Sequence, residues 1–269
     1  MKPKISIIMP VYNGAKWLST SINSVLAQSF RDFELIIIND CSRDNSDEIL
    51  RAYKDPRIKY FKNSKNMGVQ KTRNIALSIA SGKFIAEIDQ DDEWIDVGKL
   101  KKQLNFLIQN KSYVLVGTGA IMVDEKGNEL ARYLMPATDK KIRSKIIRTN
   151  PFVHSSVMFR AHDVKSLNGY DVEKLSEDQD LWLRLGNMGM FMNFQDYSVK
   201  YLYRDSGYNS QEKTKRIMQN IKLAFEHRNN YPGYFAAVIF GLFKLLIYPV
   251  FNLMPVRFKG MLLKLHKKI

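Results

Sequence analysis

The sequence predicts an α/β protein with a mostly parallel central sheet, flanking helices and a separate helical C-terminal segment. Three observations carry this. Short apolar runs alternate with amphipathic stretches from Ile5 to Ile88, the β-α-β-α order of a parallel sheet with right-handed crossovers. One of those runs, Phe33 to Ile38, is almost continuously apolar, as expected of a strand covered on both faces. After Tyr234 the chain turns apolar, and its only charges are cations.

The elements follow in order. Ile5 to Met9 reads as the first strand, ending on Pro10. Ala15 to Ala27 is expected to be a helix because Trp17, Leu18, Ile22, Val25 and Leu26 share one face. Phe33 to Ile38 is the second strand, Ser46 to Tyr53 a helix, Ile58 to Phe61 a short strand, Val69 to Ala80 a helix and Phe84 to Ile88 a buried strand. A helix is expected from about Val97 to Gln109. The strand Tyr113 to Val123 then enters a hairpin turn, Asp124-Glu125-Lys126-Gly127-Asn128. Asp139 to Arg148 reads as a helix, Ser155 to Phe159 as a strand, and Asp180 to Leu185 opens a further helix. No internal repeat or low-complexity linker is visible.

Length and composition narrow the class. A chain of 269 residues with 45% hydrophobic side chains can bury a real core in one large domain with an appended segment, or in two small ones. The single cysteine, Cys41, excludes an internal disulfide framework and fits a reducing compartment. The first apolar run is too short for a secretory signal, so a cytosolic chain is expected. The net charge is +15, but its placement matters more. From Lys200 onward 13 Lys and Arg stand against three acids, so most of the excess lies in the tail. Such a tail faces an anionic membrane, an acidic polymer or nucleic acid. The mildly basic remainder argues against global nucleic-acid binding, which would show as steeply salt-dependent affinity.

The candidate chemistry gathers at expected strand and helix ends. Asp89-Gln90-Asp91-Asp92 closes the strand at Ile88. Three carboxylates in four residues repel one another unless a cation or donor groups compensate them. The carboxyl end of such a strand is where α/β sheets bind ligands. A hard divalent ion holding a phosphate suits this spacing, since Mg²⁺ takes one or two carboxylates and fills its shell with phosphate and water. A solvated acidic loop capping the next helix is the alternative. Asp40 follows the second strand on the same rim and can accept from a base N–H or a ribose hydroxyl. Asp44 and Ser46 are better placed to cap the following helix. Asn66-Met67-Gly68 precedes a helix carrying Lys71 and Arg73 in its first turns, an end that favours anions. Arg73 is the better candidate for phosphate or base contact. Glu177-Asp178-Gln179-Asp180 heads the last of these helices. Asp180 is placed for N-capping, and Asp178 or Glu177 for taking a proton from an acceptor hydroxyl. His154, at an expected strand edge, is a candidate acceptor contact. The first turn, Met9-Pro10-Val11-Tyr12-Asn13-Gly14, lacks the G-x-G-x-x-G of dinucleotide binders, which argues against hydride transfer.

Together, Ile5-Ser6-Ile7-Ile8-Met9-Pro10-Val11-Tyr12-Asn13, Ile38-Asn39-Asp40, Asn66-Met67-Gly68 with Arg73-Asn74, Asp89-Gln90-Asp91-Asp92 and Glu177-Asp178-Gln179-Asp180-Leu181-Trp182-Leu183-Arg184 resemble glycosyltransferase family 2. These are inverting enzymes with a GT-A, Rossmann-like fold, here of the bacterial surface-polysaccharide type. The resemblance implies a nucleotide-sugar-binding half over 1–110, an acceptor and catalytic-base half over 111–212, and a basic, apolar helical segment over 213–269. It places Asp40 on the nucleobase beside Pro10, Val11 and Tyr12, Arg73 near the nucleotide, and Asp89 on the ribose with Gln90 beside it. It assigns Mg²⁺ or Mn²⁺ to Asp91 with help from Asp92, and the catalytic base to Asp178. Glu177 and Trp182 join His154 as acceptor contacts. Cys41 stands where a glycine is common, and no Q-x-x-R-W stretch follows the second acidic cluster, so a non-processive enzyme is implied. The implied reaction moves one hexose or N-acetylhexosamine, UDP-linked or TDP-linked, to a lipid-linked saccharide or similar glycan precursor. The competing readings are a nucleotidyltransferase, which needs no Asp178, and a glycan-assembly scaffold without turnover.

The C-terminal segment carries no charge from Tyr234 to Val256 except Lys244. A lysine at mid-bilayer costs about 2.5–3.5 kcal/mol on insertion scales, so interfacial attachment is expected rather than a span. Arg228, Arg257, Lys259, Lys264, Lys267 and Lys268 flank the apolar run and would attract an anionic leaflet. That places the chain at the inner face of the cell membrane. A core helix or a homodimer contact is the alternative.

Overall fold

Every residue of the first two strands, β1 (Ile5–Val11) and β2 (Phe33–Asn39), is buried. Alternate side chains therefore feed two cores. Ile7 and Met9 join the cluster under α1 (Ala15–Leu26), while Ile8 joins the one under α3 (Val69–Ile79). The computed structural model describes residues 2–204 and 210–253. Between β2 and α3 come α2 (Ser46–Ala52) and β3 (Ile58–Lys62), and after α3 comes β4 (Phe84–Glu87). All three pairings among these four strands are parallel, with Val11 opposite Asn39 and Ile8 opposite Glu87. This register brings the carboxyl ends of β1, β2 and β4 to one rim.

The second half departs from a simple parallel sheet. It runs β5 (Glu93–Trp94), α4 (Lys99–Gln109), β6 (Tyr113–Val123), β7 (Glu129–Tyr133) and α5 (Asp139–Ile146). A 3-10 turn at His154–Ser156 precedes β8 (Met158–Arg160), α6 (Ala161–Ser166), α7 (Glu177–Leu185) and β9 (Met190–Leu202). The strand order is β3-β2-β1-β4-β8-β6-β9-β5, with β7 paired to β6. β8 is antiparallel to both β4 and β6, β5 to β9, and β7 to β6, whereas β6 and β9 run parallel. The sheet is thus mixed, and the mostly parallel expectation holds for its first half.

Three expectations are corrected locally. The strand expected at Ser155 starts at Met158, because His154–Ser156 winds into a 3-10 turn with Val157 N–H donating to His154 C=O. The acidic helix begins at Glu177, so Asp180 lies inside it, and its carboxylate pairs with Arg184 at 2.8 Å instead of capping the end. β9, which was not anticipated, is the longest strand among the described residues. The hairpin at Asp124–Asn128 forms as expected, with Asp124 accepting from the backbone N–H groups of Lys126 and Asn128.

Helices α8 (Ser210–Glu226) and α9 (Tyr234–Leu253) end the described chain and pack on each other. A side chain at Gly241 would meet Ile221 Cγ1 at 2.4 Å, so the glycine permits the close approach. Among the described residues no helix is long and apolar enough to cross a membrane. The expected basic residues from Arg257 to Lys268 lie outside the described residues.

Candidate active site

Two adjoining clefts open along the rim. One, of about 640 Å³, is lined by Pro10, Val11, Tyr12, Asp40, Asp91 and Arg204 among others. The second, of about 560 Å³, is lined by Tyr133, Met135, Asn150, His154, Asp178 and Arg216 among others. Val69, Arg73, Asp89, Glu177 and Tyr201 line both.

The first cleft is shaped by backbone held from a distance. Asp40, buried just past β2, accepts from Asn63 Nδ2 at 2.7 Å, Met67 N–H at 2.8 Å and Gly68 N–H at 2.9 Å. Its carboxylate therefore moulds the Asn66-Met67-Gly68 turn that leads into α3, and Gly68 takes φ 86° there. A carboxylate offers about four acceptor positions, so capacity for one further donor remains. Cys41 sits at φ 61°, the left-handed conformation that explains why glycine suits this position. The Tyr12 backbone and the Gln90 side-chain amide bond each other reciprocally, at 2.9 and 3.0 Å. Gln90 thus lines the cleft, but its amide is committed to holding the Pro10-Val11-Tyr12 turn. Lys71 is exposed and lines neither cleft, so its proposed anion contact is not supported.

Arg73 is the hub between the clefts. Its guanidinium is buried, donating to Glu177 Oε1 at 2.9 Å and Asp89 Oδ1 at 2.6 Å, with Glu87 Oε2 at 4.0 Å from Nε. The Tyr170 ring lies under it at 5.5 Å. His154 Nδ1 approaches Arg73 Nη2 at 3.3 Å and Asp89 at 3.8 Å, while its Nε2 meets the Tyr170 hydroxyl at 3.0 Å. Tyr170 in turn donates to Glu87 Oε1 at 3.0 Å. Burial opposes ionisation of Asp89, but Arg73 and His154 outweigh it and hold its carboxyl far below the usual range. Burial raises Glu87, and Arg73 and His154 only partly offset it. Burial and Asp178 raise Glu177. Burial and Arg73 would lower His154, yet Asp89 and Glu87 raise it overall.

The acidic run at the end of β4 divides its loyalties. Asp91 faces the first cleft, its side chain 13% exposed, and pairs with Arg204 at 2.5 Å. Burial and repulsion from Asp89 raise it, with Arg204 partly compensating. Asp92 turns the other way. It is buried, accepts from Leu202 N–H at 2.9 Å and the Ser155 hydroxyl, and lines neither cleft. Its expected help with a metal is therefore corrected: its carboxylate ties β9 to the 3-10 turn.

In the second cleft Asp178 Oδ2 accepts from Asn150 Nδ2 at 2.6 Å, and Oδ1 accepts from Gln179 N–H at 2.7 Å. Glu177 is engaged by Arg73, which separates two carboxylates that spacing alone left equivalent. Trp182 is corrected as an acceptor contact. It is wholly buried among His154, Phe152 and Phe159 and lies on no cleft wall.

Several residues here escaped sequence reasoning. Glu87 carried a signal, being an acid inside an apolar strand, as Glu34 is in β2. Tyr170, Asn63, Asn150 and Arg204 carried none, since each reaches the site across a long sequence separation. Among the described residues the one clustered set of metal-ligating types is Asp180, Glu226 and His227, which lies outside both clefts. Asp180 and Glu226 are already paired there with Arg184 and Lys174.

A mixed sheet with a carboxylate-lined rim and two joined clefts defines an α/β transferase of the GT-A fold. The family model for glycosyl transferase family 2 matches residues 6–167, and the chain belongs to that family and is a glycosyltransferase. It is 34% identical over 233 residues to the glycosyltransferase-family protein EpsE of Bacillus subtilis, covering 84% of this chain and 77% of that one. It is 40% identical over 118 residues to WfgD of Escherichia coli, covering 44% of this chain and 46% of that one. WfgD is named a UDP-Glc:alpha-D-GlcNAc-diphosphoundecaprenol beta-1,3-glucosyltransferase. The solved structure of S. aureus TarS 1-349 with UDP-GlcNAc superposes at a TM-score of 0.67 with 23% identity. That match covers 92% of this chain and 72% of the TarS chain, a likeness of fold.

Proposed function

We propose that the chain transfers one sugar, with inversion, from a UDP-linked donor to a lipid-linked saccharide of a surface glycan, at the inner face of the membrane. The observation that carries this reading is the shared wall: Arg73, Asp89 and Glu177 separate a cleft ending at Asp40 from one containing Asp178. In this reading residues 1–110 supply most of the donor half and residues 111–212 most of the acceptor half. The tail 213–269 is the membrane-facing segment.

The donor's base and ribose would lie along Asp40, the Pro10-Val11-Tyr12 turn and Asp89. Arg73 stabilises the geometry of that wall by fixing Asp89 and Glu177, and its charge offsets the carboxylates around it. The oxygen donor set fits a hard divalent ion, Mg²⁺ or Mn²⁺, held by Asp91 and completed by phosphate and water. Such an ion, when bound, supplies positive charge against the departing diphosphate. Asp178, held by Asn150, is the acceptor's base. It takes the hydroxyl proton as the acceptor oxygen attacks the anomeric carbon opposite the leaving diphosphate. The WfgD name supports both the uridine donor and the lipid diphosphate acceptor.

The test is a thermal-shift panel of nucleoside diphosphates and nucleotide sugars, each with Mn²⁺ or with chelator, joined to turnover of the Asp178→Asn variant. A metal-dependent shift with uridine ligands is expected. Asp178→Asn should keep that shift while losing about 10²–10⁴ in rate. No shift with any nucleotide, or full turnover without the Asp178 carboxylate, would overturn the proposal.

A further inference from the structure

Helix α9 carries an apolar stripe that its packing does not use. Phe235, Ile239, Leu242, Phe243, Leu246 and Ile247 fall on one side of the helix, at spacings of three, four and seven. They are between 43 and 79% exposed. The other side holds Ala237 and Gly241, both buried, with Gly241 against Ile221 of α8. The helix is thus already docked on the protein through Ala237, Gly241 and the half-buried Tyr234 and Phe240, while the stripe faces outward. A contiguous exposed apolar surface of this kind marks an interaction site.

The charge of the sequence that carries the stripe selects the occupant. From His227 to Ile269 the chain has seven Lys and Arg and no Asp or Glu. A second copy of this chain would set one such stretch against another, and like charges disfavour that contact. An anionic surface is complementary. No described helix is long and apolar enough to cross a bilayer. α9 fits a helix lying in the interface with its stripe down and its own Lys244 half-buried beside Phe240 on the other side. The attraction to anionic headgroups is supplied by Arg228 and by the basic residues that follow α9 in the sequence.

We infer that α9 docks flat on an anionic lipid surface through Phe235, Ile239, Leu242, Phe243, Leu246 and Ile247. This rests on the reading above that the acceptor is presented from a membrane. α8 connects the two, since it contributes Arg216 to the second cleft and Ile221, about 7.5 Å further along the helix, to the seam with α9. Docking the stripe would therefore hold α8, and with it one wall of the acceptor cleft, in a fixed orientation to the lipid surface.

The experiment uses the full chain with phosphatidylcholine vesicles, with and without phosphatidylglycerol. The parent should cosediment with the anionic vesicles and release at high salt. Phe235→Ser/Leu242→Ser/Leu246→Ser should partition at least about tenfold more weakly with an unchanged melting temperature, because all three side chains are exposed. A Phe235→Trp variant should be quenched by brominated lipid, which reports insertion without removing any apolar group. No vesicle binding by the parent, or equal binding by the triple variant, overturns the inference. So does loss of a dimer in the triple variant with vesicle binding unchanged. Turnover on a water-soluble acceptor separates the two readings. Failed docking leaves that turnover intact in parent and variant, whereas a failed transferase reading abolishes it and leaves vesicle binding in place.

Discussion

Replacing Arg73 with methionine keeps the length of the side chain and removes the one cation in direct contact with both Asp89 and Glu177. Glu87, wholly buried, loses the guanidinium that lies 4.0 Å from its carboxylate. Removing one partner from a buried ion pair costs about 3–5 kcal/mol, because the remaining charge stays desolvated. For 269 residues the unfolding entropy is roughly 0.6 kcal/mol/K, so the melting temperature should fall by about 5–9 °C. The sign of the pH dependence follows from the acids left behind. Without Arg73 the folded-state pKa values of Glu87, Asp89 and Glu177 rise, and an acid raised on folding destabilises most where both states are ionised. The deficit relative to the parent should therefore be largest at neutral and alkaline pH and shrink as pH falls through the raised values. Adding Asp89→Asn and Glu177→Gln to Arg73→Met should recover part of the loss, since two of the unpaired charges are then gone. Calorimetry of the parent, the single and the triple variant across pH is the assay. A drop below about 2 °C, an identical deficit at acid and alkaline pH, or a triple variant no better than the single one would refute the idea that Arg73 neutralises a buried acidic wall.

Lys99 is buried over the Trp94 ring, its ammonium bonded to Gln103, and burial pushes its pKa down to about 7 against the pull of Asp96 and Asp196. The unfolded chain then binds a proton that the fold does not between about pH 7 and 10.5, so stability should rise across that window by up to about 1.4 kcal/mol per pH unit. Lys99→Met should remove this slope and gain most below pH 7; matching denaturant titrations of the two proteins with no difference in slope would reject it. Cys41→Gly should stabilise by about 0.5–1 kcal/mol, the left-handed penalty less the added chain entropy of glycine, read as a higher urea midpoint; a lower midpoint would show that the thiol contributes more than the strain. Asp91→Asn should abolish the metal-dependent part of any nucleotide thermal shift, whereas Asp92→Asn should keep it. Metal dependence lost in the Asp92 variant alone would reverse the division of roles between the two neighbours.

That division shows what the sequence could and could not disclose. Strand and helix positions in the first half were legible because each element is specified locally: short apolar runs for β1 and β4, one apolar face for α1 and α3. The rim was legible as well, since parallel register forces Val11, Asn39 and Glu87 to one edge. β9 was not legible, because Asn193, Gln195, Asp196 and Lys200 dilute its apolar pattern while its pairing with β6 and β5 supplies the order. Missing β9 had a consequence for the chemistry. Asp91 and Asp92 are equivalent as composition, and only the Leu202 N–H of that strand, with the Ser155 hydroxyl, draws Asp92 into the core. Asn150 instead holds Asp178 on the second cleft, while Arg73 takes Glu177. An acidic cluster in sequence therefore announces how many carboxylates reach the rim, but which of them faces a ligand is decided by donors supplied from distant strands. The inverse holds for Trp182. An aromatic in a motif invites a stacking role, yet its place on the inward face of α7 fills the core behind His154, so it steadies the cleft wall without touching what binds there.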